Sequence, residues 1–158
     1  MTTTPITDLS FINVVTLWFD NSHNDIFIDS NQTPYYGTID IWNVSLVTNM
    51  SYAFDGKSTF NDDIFDWNTS NVTSMIGMFK NASSFNKNIT NWNVSATTRT
   101  NMFIGATAMT TRFGSISGYG NTPILNFFNI DPIPAANFST TTAHWINNPT
   151  SSENTDPT

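Results

Sequence analysis

The sequence predicts an α/β repeat solenoid: short parallel strands, one per coil, with short helical turns, an N-terminal helical cap and an extended C-terminal arm. The first observation behind this is a motif that returns. "WNVSLVTNM" at 42–50 has a close cousin, "WNTSNVTSM", at 67–75, and "WNVSATT" opens at Trp92, so the period is 25 residues. A fixed period in the range of about 20–50 residues marks repeats that bury their apolar side against their neighbours, and three units is the smallest stable stack. The second observation is length, since 158 residues suffice for one domain with a core.

Residues 1–38 form the expected N-terminal arm and helical cap. Phe11, Val14, Val15 and Trp18 fall at i, i+3, i+4 and i+7, one face of an amphipathic helix. Asp8 or Ser10 is the expected N-cap. Such a helix would cover the open end of an apolar stack.

Residues 39–109 hold the three repeats. "IDIWNVSLVTNMSYAFDGKSTFNDD" lies over "IFDWNTSNVTSMIGMFKNASSFNKN" and "ITNWNVSATTRTNMFIGATAM". The columns are Ile39, Ile64 and Ile89; Trp42, Trp67 and Trp92; Ser45, Ser70 and Ser95; Met50 and Met75; Phe54 and Phe79; Phe60, Phe85 and, after a one-residue deletion, Met109. Within a repeat, "FNDDIFDW" and "FNKNITNW" carry β-branched and aromatic residues in a short run, which predicts a strand. Parallel pairing would set equivalent residues about 4.8 Å apart, as a ladder of like side chains. "VTSMIGMF", with Val72, Met75, Met78 and Phe79 spaced by three and four, predicts one or two helical turns.

Residues 110–129, with "GSISGYGNTPILNFFN", form the expected C-terminal cap. Residues 130–158 run through Pro132, Pro134, Pro149 and Pro157 with little periodicity and form the extended arm. Fully stretched, such an arm reaches on the order of 95 Å. An extended polar arm orders most readily on a neighbouring chain, which is the expectation of a larger assembly.

The tryptophan column has two readings. On a straight strand, period-two alternation places Ile64 and Trp67 on opposite faces, and Trp42, Trp67 and Trp92 become an exposed strip able to bind sugars or a partner. If the chain bends between them, the indoles are core and the following Asn and Ser, as at Asn68 and Ser70, satisfy backbone groups at a corner.

The string "WNxSxVTxMxxxFxxxxxFNxxI", present twice in full and once decayed, resembles the BspA-like surface proteins, whose leucine-rich-repeat-like units are known as a bacterial surface lipoprotein repeat of unknown function. "VVTLWFDN" followed by "YYGTIDIW" is similar to the segment that precedes the first unit in that family, so the resemblance spans roughly residues 8–109. It implies a leucine-rich-repeat-like solenoid in an exposed, non-catalytic and often adhesive protein. The third unit departs from the pattern, with Thr97 where Val47 and Val72 stand and Thr100 where Met50 and Met75 stand.

Composition excludes several function classes. Charged residues make up 11%, while Asn, Ser and Thr supply 63 of the 158 positions, so solubility rests on amides and hydroxyls. A net charge of -7 with five Lys and Arg argues against a nucleic acid, whose binding needs clustered cations. The same shortage argues against anionic lipid, and no apolar run approaches the roughly 20 residues of a spanning helix. The chain begins "MTTTPITD", so no conventional secretion signal is legible. Zero cysteines exclude disulfides, thiolate metal sites and a cysteine nucleophile. Nine N-x-[ST] sequons occur, including Asn43, Asn68 and Asn93, as expected by chance in so Asn/Ser/Thr-rich a repeat.

Asp62, Asp63 and Asp66, with Asn61, are a weak candidate for calcium. The next repeat has Lys87, Asn88 and Asn91 at equivalent positions, so no carboxylate ladder forms and solvated strand-edge charge is the expectation. His23 and His144 are the only imidazoles, and nothing in their spacing assembles a triad or metal site. "GSISGYG" lacks the lysine and setting of a phosphate loop. The expected protein is therefore no enzyme and has no cofactor. It is a surface-exposed structural or adhesive repeat protein on a cell, filament or virion, whose partners are copies of itself or neighbouring assembly subunits. A carbohydrate-binding module using the aromatic ladder is the alternative.

Overall fold

A computed structural model describes residues 5–20, 36 and 38–128. The chain starts with α1, Asp8–Asp20, whose Phe11, Val14, Val15 and Trp18 are buried as the 3.6-residue pattern predicts. Its N-terminus differs from the expectation. Thr7 precedes the helix, its carbonyl accepting from the N–H groups of Ser10 and Phe11, and Ser10 Oγ accepts the Thr7 N–H at 3.1 Å. Ser10 thus sits one turn inside the helix and reaches back, as the third residue of a capping box does, while Asp8 is used elsewhere.

The 25-residue units do lie over one another, but not as an α/β solenoid. Among the described residues there is no β-strand, only single parallel bridges between Thr7 and Leu46, Asn49 and Ser74, and Ser74 and Thr98. The segments "FNDDIFDW" and "FNKNITNW" are turns and irregular chain, and "VTSMIGMF" contains turns rather than helix. The backbone bonding gives the reason. In the first repeat the N–H groups of Met50, Tyr52, Phe54 and Gly56 cross to the carbonyls of Ser74, Ile76, Met78 and Lys80 in the second. The intervening Ala53, Asp55 and Lys57 instead donate three residues back, to Met50, Tyr52 and Phe54. Alternate donors therefore serve the neighbour and the turn, and the chain curls where a strand would stay extended.

Left-handed backbone at two positions per repeat enforces the curl. Tyr52, Gly77 and Asn101 have φ of 60°, 58° and 57°, and Gly56, Asn81 and Gly105 have 71°, 59° and 73°. Such values lie outside the β region, so a regular strand cannot pass through either position.

The second and third repeats are joined in the same way, by Met75, Gly77, Phe79 and Asn81 donating to Thr98, Thr100, Met102 and Ile104. This places the deletion between Thr97 and Arg99. Thr97 still stands with Val47 and Val72, but Arg99, not Thr100, takes the place of Met50 and Met75, and Phe103 joins the column of Phe54 and Phe79.

The core is a set of ring columns. Trp42, Trp67 and Trp92 stack at 6.1 and 6.2 Å. Phe54, Phe79, Phe103 and Tyr119 follow at 5.5, 5.8 and 5.5 Å, and Phe60 lies 5.3 Å from Phe85. At the N-terminal end Trp18 meets Trp42 and Phe60 edge-on, and Phe11 meets Trp67. At the other end, α2 (Thr107–Phe113) and a 3-10 turn (Leu125–Phe128) bring Phe113 and Phe127 together, with Phe127 edge-on to Phe103. Among the described residues no helix is long and apolar enough to cross a membrane. His23, His144 and the arm expected over 130–158 lie outside the described residues.

Candidate functional site

Each WNxS motif builds the same corner. Trp67 Nε1 donates to the carbonyl of Ile39 at 2.7 Å, and Trp92 Nε1 to that of Ile64 at 3.1 Å. The indole is thus core by its ring and a clamp between repeats by its N–H, a pairing only tryptophan provides among apolar side chains. Ile39, Ile64 and Ile89 are themselves buried.

The Asn that follows closes the turn. Asn43 Oδ1 accepts from Ser45 N–H and Oγ at 3.2 and 2.7 Å, and Asn68 does the same for Ser70 at 3.2 and 2.7 Å. Asn93 and Ser95 repeat the arrangement at 3.4 and 3.2 Å. These are Asx turns, in which the side chain replaces a backbone acceptor. The three indoles are 3%, 3% and 2% exposed. The exposed strip considered for Trp42, Trp67 and Trp92 is therefore absent, because the chain bends between Ile and Trp and the ring faces are taken up by each other.

The two ends of the stack are finished differently. Within the stack, Thr73 N–H donates to Thr48 O and Thr98 N–H to Thr73 O. Thr48 has no preceding repeat, and the Asp8 carboxylate takes that place: it accepts from Thr48 N–H at 2.6 Å, Asn49 N–H at 3.0 Å and Thr48 Oγ1 at 2.5 Å. Burial opposes ionisation of Asp8, but the bonds from Thr48 and Asn49 outweigh it and hold its pKa below the ordinary carboxylate value.

At the far end the Arg99 guanidinium ties the last turn of the third repeat to the cap. Arg99 Nη1 donates to Val94 O and Thr97 O, both at 2.6 Å, and Nε donates to Pro123 O at 3.0 Å. Burial lowers the Arg99 pKa, yet an arginine remains cationic at neutral pH. Leftover donors of the third repeat are met by the cap: Asn101 N–H finds Thr122 Oγ1 at 2.8 Å and Phe103 N–H finds Asn121 O at 3.0 Å. Neither Asp8 nor Arg99 was singled out in the sequence for this role, and the signal that marks Arg99 is a cation standing in an apolar Met column.

Asp62, Asp63 and Asp66 lie together, lining an open cavity of about 310 Å³ with Trp18, Thr38, Ile39, Asp40 and Phe65. They are not strand-edge charges, since no strand is there. Asp63 Oδ1 accepts from Phe65 N–H at 3.0 Å, an Asx turn that Asn88 and Thr90 repeat one unit later. Among the described residues no group of three or more His, Cys, Asp and Glu side chains is arranged to hold a metal ion. Of the predicted ladder, Trp42, Trp67 and Trp92 stack and Phe60 stacks on Phe85; Ile39, Ile64, Ile89 and Met109 are buried, and Ser45, Ser70 and Ser95 each close a local turn.

Residues 21–129 match a family model described as a Mycoplasma protein of unknown function, DUF285. No curated protein and no solved structure matches the chain.

Proposed function

The chain belongs to the DUF285 family of Mycoplasma proteins of unknown function, and from that premise we propose a non-catalytic structural or adhesive module of the BspA-like kind, exposed outside the cell as part of a larger assembly. The observation that carries this reading is the repetition of one corner: the Asn–Ser turn recurs after Trp42, Trp67 and Trp92, and the indole clamp recurs at Trp67 and Trp92. The chain spends its aromatic rings on columns and its Asn, Ser and Thr side chains on turns and inter-repeat bonds such as Asn71 Nδ2 to Ser45 O at 2.7 Å and Asn91 Nδ2 to Phe65 O at 3.0 Å. Such a body is stiff, and its outline can be extended by further copies of the unit. These are properties of a spacer or presenting surface. Virion, filament and surface layer are the forms of assembly this reading covers.

The test is accessibility. Intact cells producing the full protein are treated with an impermeant protease, and the purified chain is applied to host cells and to immobilised matrix proteins. Cleavage without lysis and saturable binding are expected. Protection of the chain until the cells are broken open would overturn the reading.

A further inference from the structure

Charge is divided along this chain. Residues 1–66 hold nine Asp and one basic residue, Lys57, whereas residues 67–130 hold Lys80, Lys87, Arg99 and Arg112 and no Asp or Glu. Because each repeat lies over the one before it, order in sequence is order along the stack. Among the described residues the division therefore becomes a dipole: Asp8, Asp20, Asp40, Asp55, Asp62 and Asp63 lie in α1 and the first repeat, Lys80 and Lys87 with Asp66 in the second, and Arg99 and Arg112 alone in the third repeat and the cap.

Both ends also expose aliphatic side chains. On the side of α1 turned away from the core, Leu9, Ile12 and Leu17 are 92%, 41% and 49% exposed. At the cap, Ile124 and Leu125 are 56% and 40% exposed. Exposed apolar groups grouped on an unpartnered face mark an interaction surface.

We infer that copies of this chain associate head to tail, the apolar outer face of α1, at the acidic end of one copy, seating against the basic C-terminal cap of the next. The inference rests on the assembly reading above and names the contacting ends. Charge complementarity selects this pairing: head against head would juxtapose Asp8 and Asp20 with their own copies, and tail against tail would oppose Arg99 and Arg112. Fusion through the backbone ladder is blocked, since Asp8 takes the N–H groups of Thr48 and Asn49 at one end, and Thr122 and Asn121 take those of Asn101 and Phe103 at the other. The contact is consequently between side chains, driven by the leucine and isoleucine surfaces and oriented by the charges. A contact between unlike ends does not close on itself and propagates as a chain of copies.

Sedimentation velocity on the full chain tests this; residues 131–158 add Asp131, Glu153 and Asp156 to the charge, so they are kept. The wild type is expected to form a concentration-dependent ladder of oligomers, with a dissociation constant rising at least about tenfold between about 0.05 M and 0.5 M salt. A head variant, L9S/I12S/L17S, and a tail variant, I124S/L125S, change exposed positions, and unchanged tryptophan fluorescence verifies their fold. Each alone should be monomeric. Mixed one to one they should give dimers and nothing larger, because each retains one good end. A wild type that stays monomeric at low salt, or a tail variant that still self-associates, overturns the inference. A monomer that is nevertheless cleaved on intact cells and binds host surfaces would end the head-to-tail contact and leave the exposed, adhesive part of the reading standing.

Discussion

The indole N–H of Trp67 lies 2.7 Å from the carbonyl oxygen of Ile39, a bond that crosses one repeat boundary inside the core. Its strength comes from its setting, since a buried acceptor deprived of its donor has no water to turn to.

Trp67→Phe should therefore destabilise the protein by about 2–4 kcal/mol, adding an orphaned carbonyl to the loss of ring volume. Urea unfolding followed by circular dichroism reads this as a lowered midpoint. A midpoint within error of the wild type would mean that the Ile39 carbonyl is satisfied without the indole.

Asp8→Ala should lower stability by about 1 kcal/mol, below the range for buried bonds to a charged group because the carboxylate is exposed to solvent. The pH dependence has a definite sign. The folded-state pKa is depressed by the Thr48 and Asn49 bonds against opposing burial, so the stabilisation is complete above the unfolded carboxylate value of about 3.9 and is lost as pH falls through the lower folded value. Wild type and Asp8→Ala should accordingly converge in stability on titration from pH 5 to pH 2, about the range in which a depressed carboxylate protonates.

Gly56 and Gly77 both have positive φ, but a Cβ at Gly56 would meet nothing within 4 Å, whereas at Gly77 it would lie 2.6 Å from the Tyr52 ring. Gly56→Ala should show the backbone term alone, about 1–2 kcal/mol. Gly77→Ala should cost more, and Tyr52→Ala in that background should recover part of the excess. Thermal unfolding of the two single variants and the double variant measures the coupling; equal losses at Gly56 and Gly77 would show that the ring moves aside freely.

Thr97→Val restores the residue type of its column, Val47 and Val72, and pattern alone would make it stabilising. The structure reverses the sign, because Thr97 is buried and its Oγ1 donates to Val72 O at 2.7 Å. A loss of about 1 kcal/mol is expected on chemical denaturation, and a gain would contradict the hydrogen bond.

The sequence by itself determined the 25-residue period, the columns of Trp, Ile, Ser and Phe, the buried face of α1 and the Asn–Ser corner. Each is a consequence of side-chain type at fixed spacing, which needs only near neighbours to act. Thr97 was legible as a departure but not as a hydrogen-bond donor, and Thr100 was set in the column of Met50 and Met75, where Arg99 stands, because the deletion could be located only by the bonds it leaves intact.

Tertiary structure alone decided that the repeats stack through turns without strands. β-Branched and aromatic residues fit any half-buried extended chain, and nothing in "FNDDIFDW" or "VTSMIGMF" announces that Tyr52 and Asn81 are left-handed. Those conformations are held by the neighbouring repeat, whose carbonyls accept the N–H groups of Tyr52 and Asn81. Tertiary structure likewise made the Asp8 carboxylate at one end, and Asn121 and Thr122 at the other, the terminators of the stack, since only at an end are backbone donors left without a neighbouring repeat to bond them.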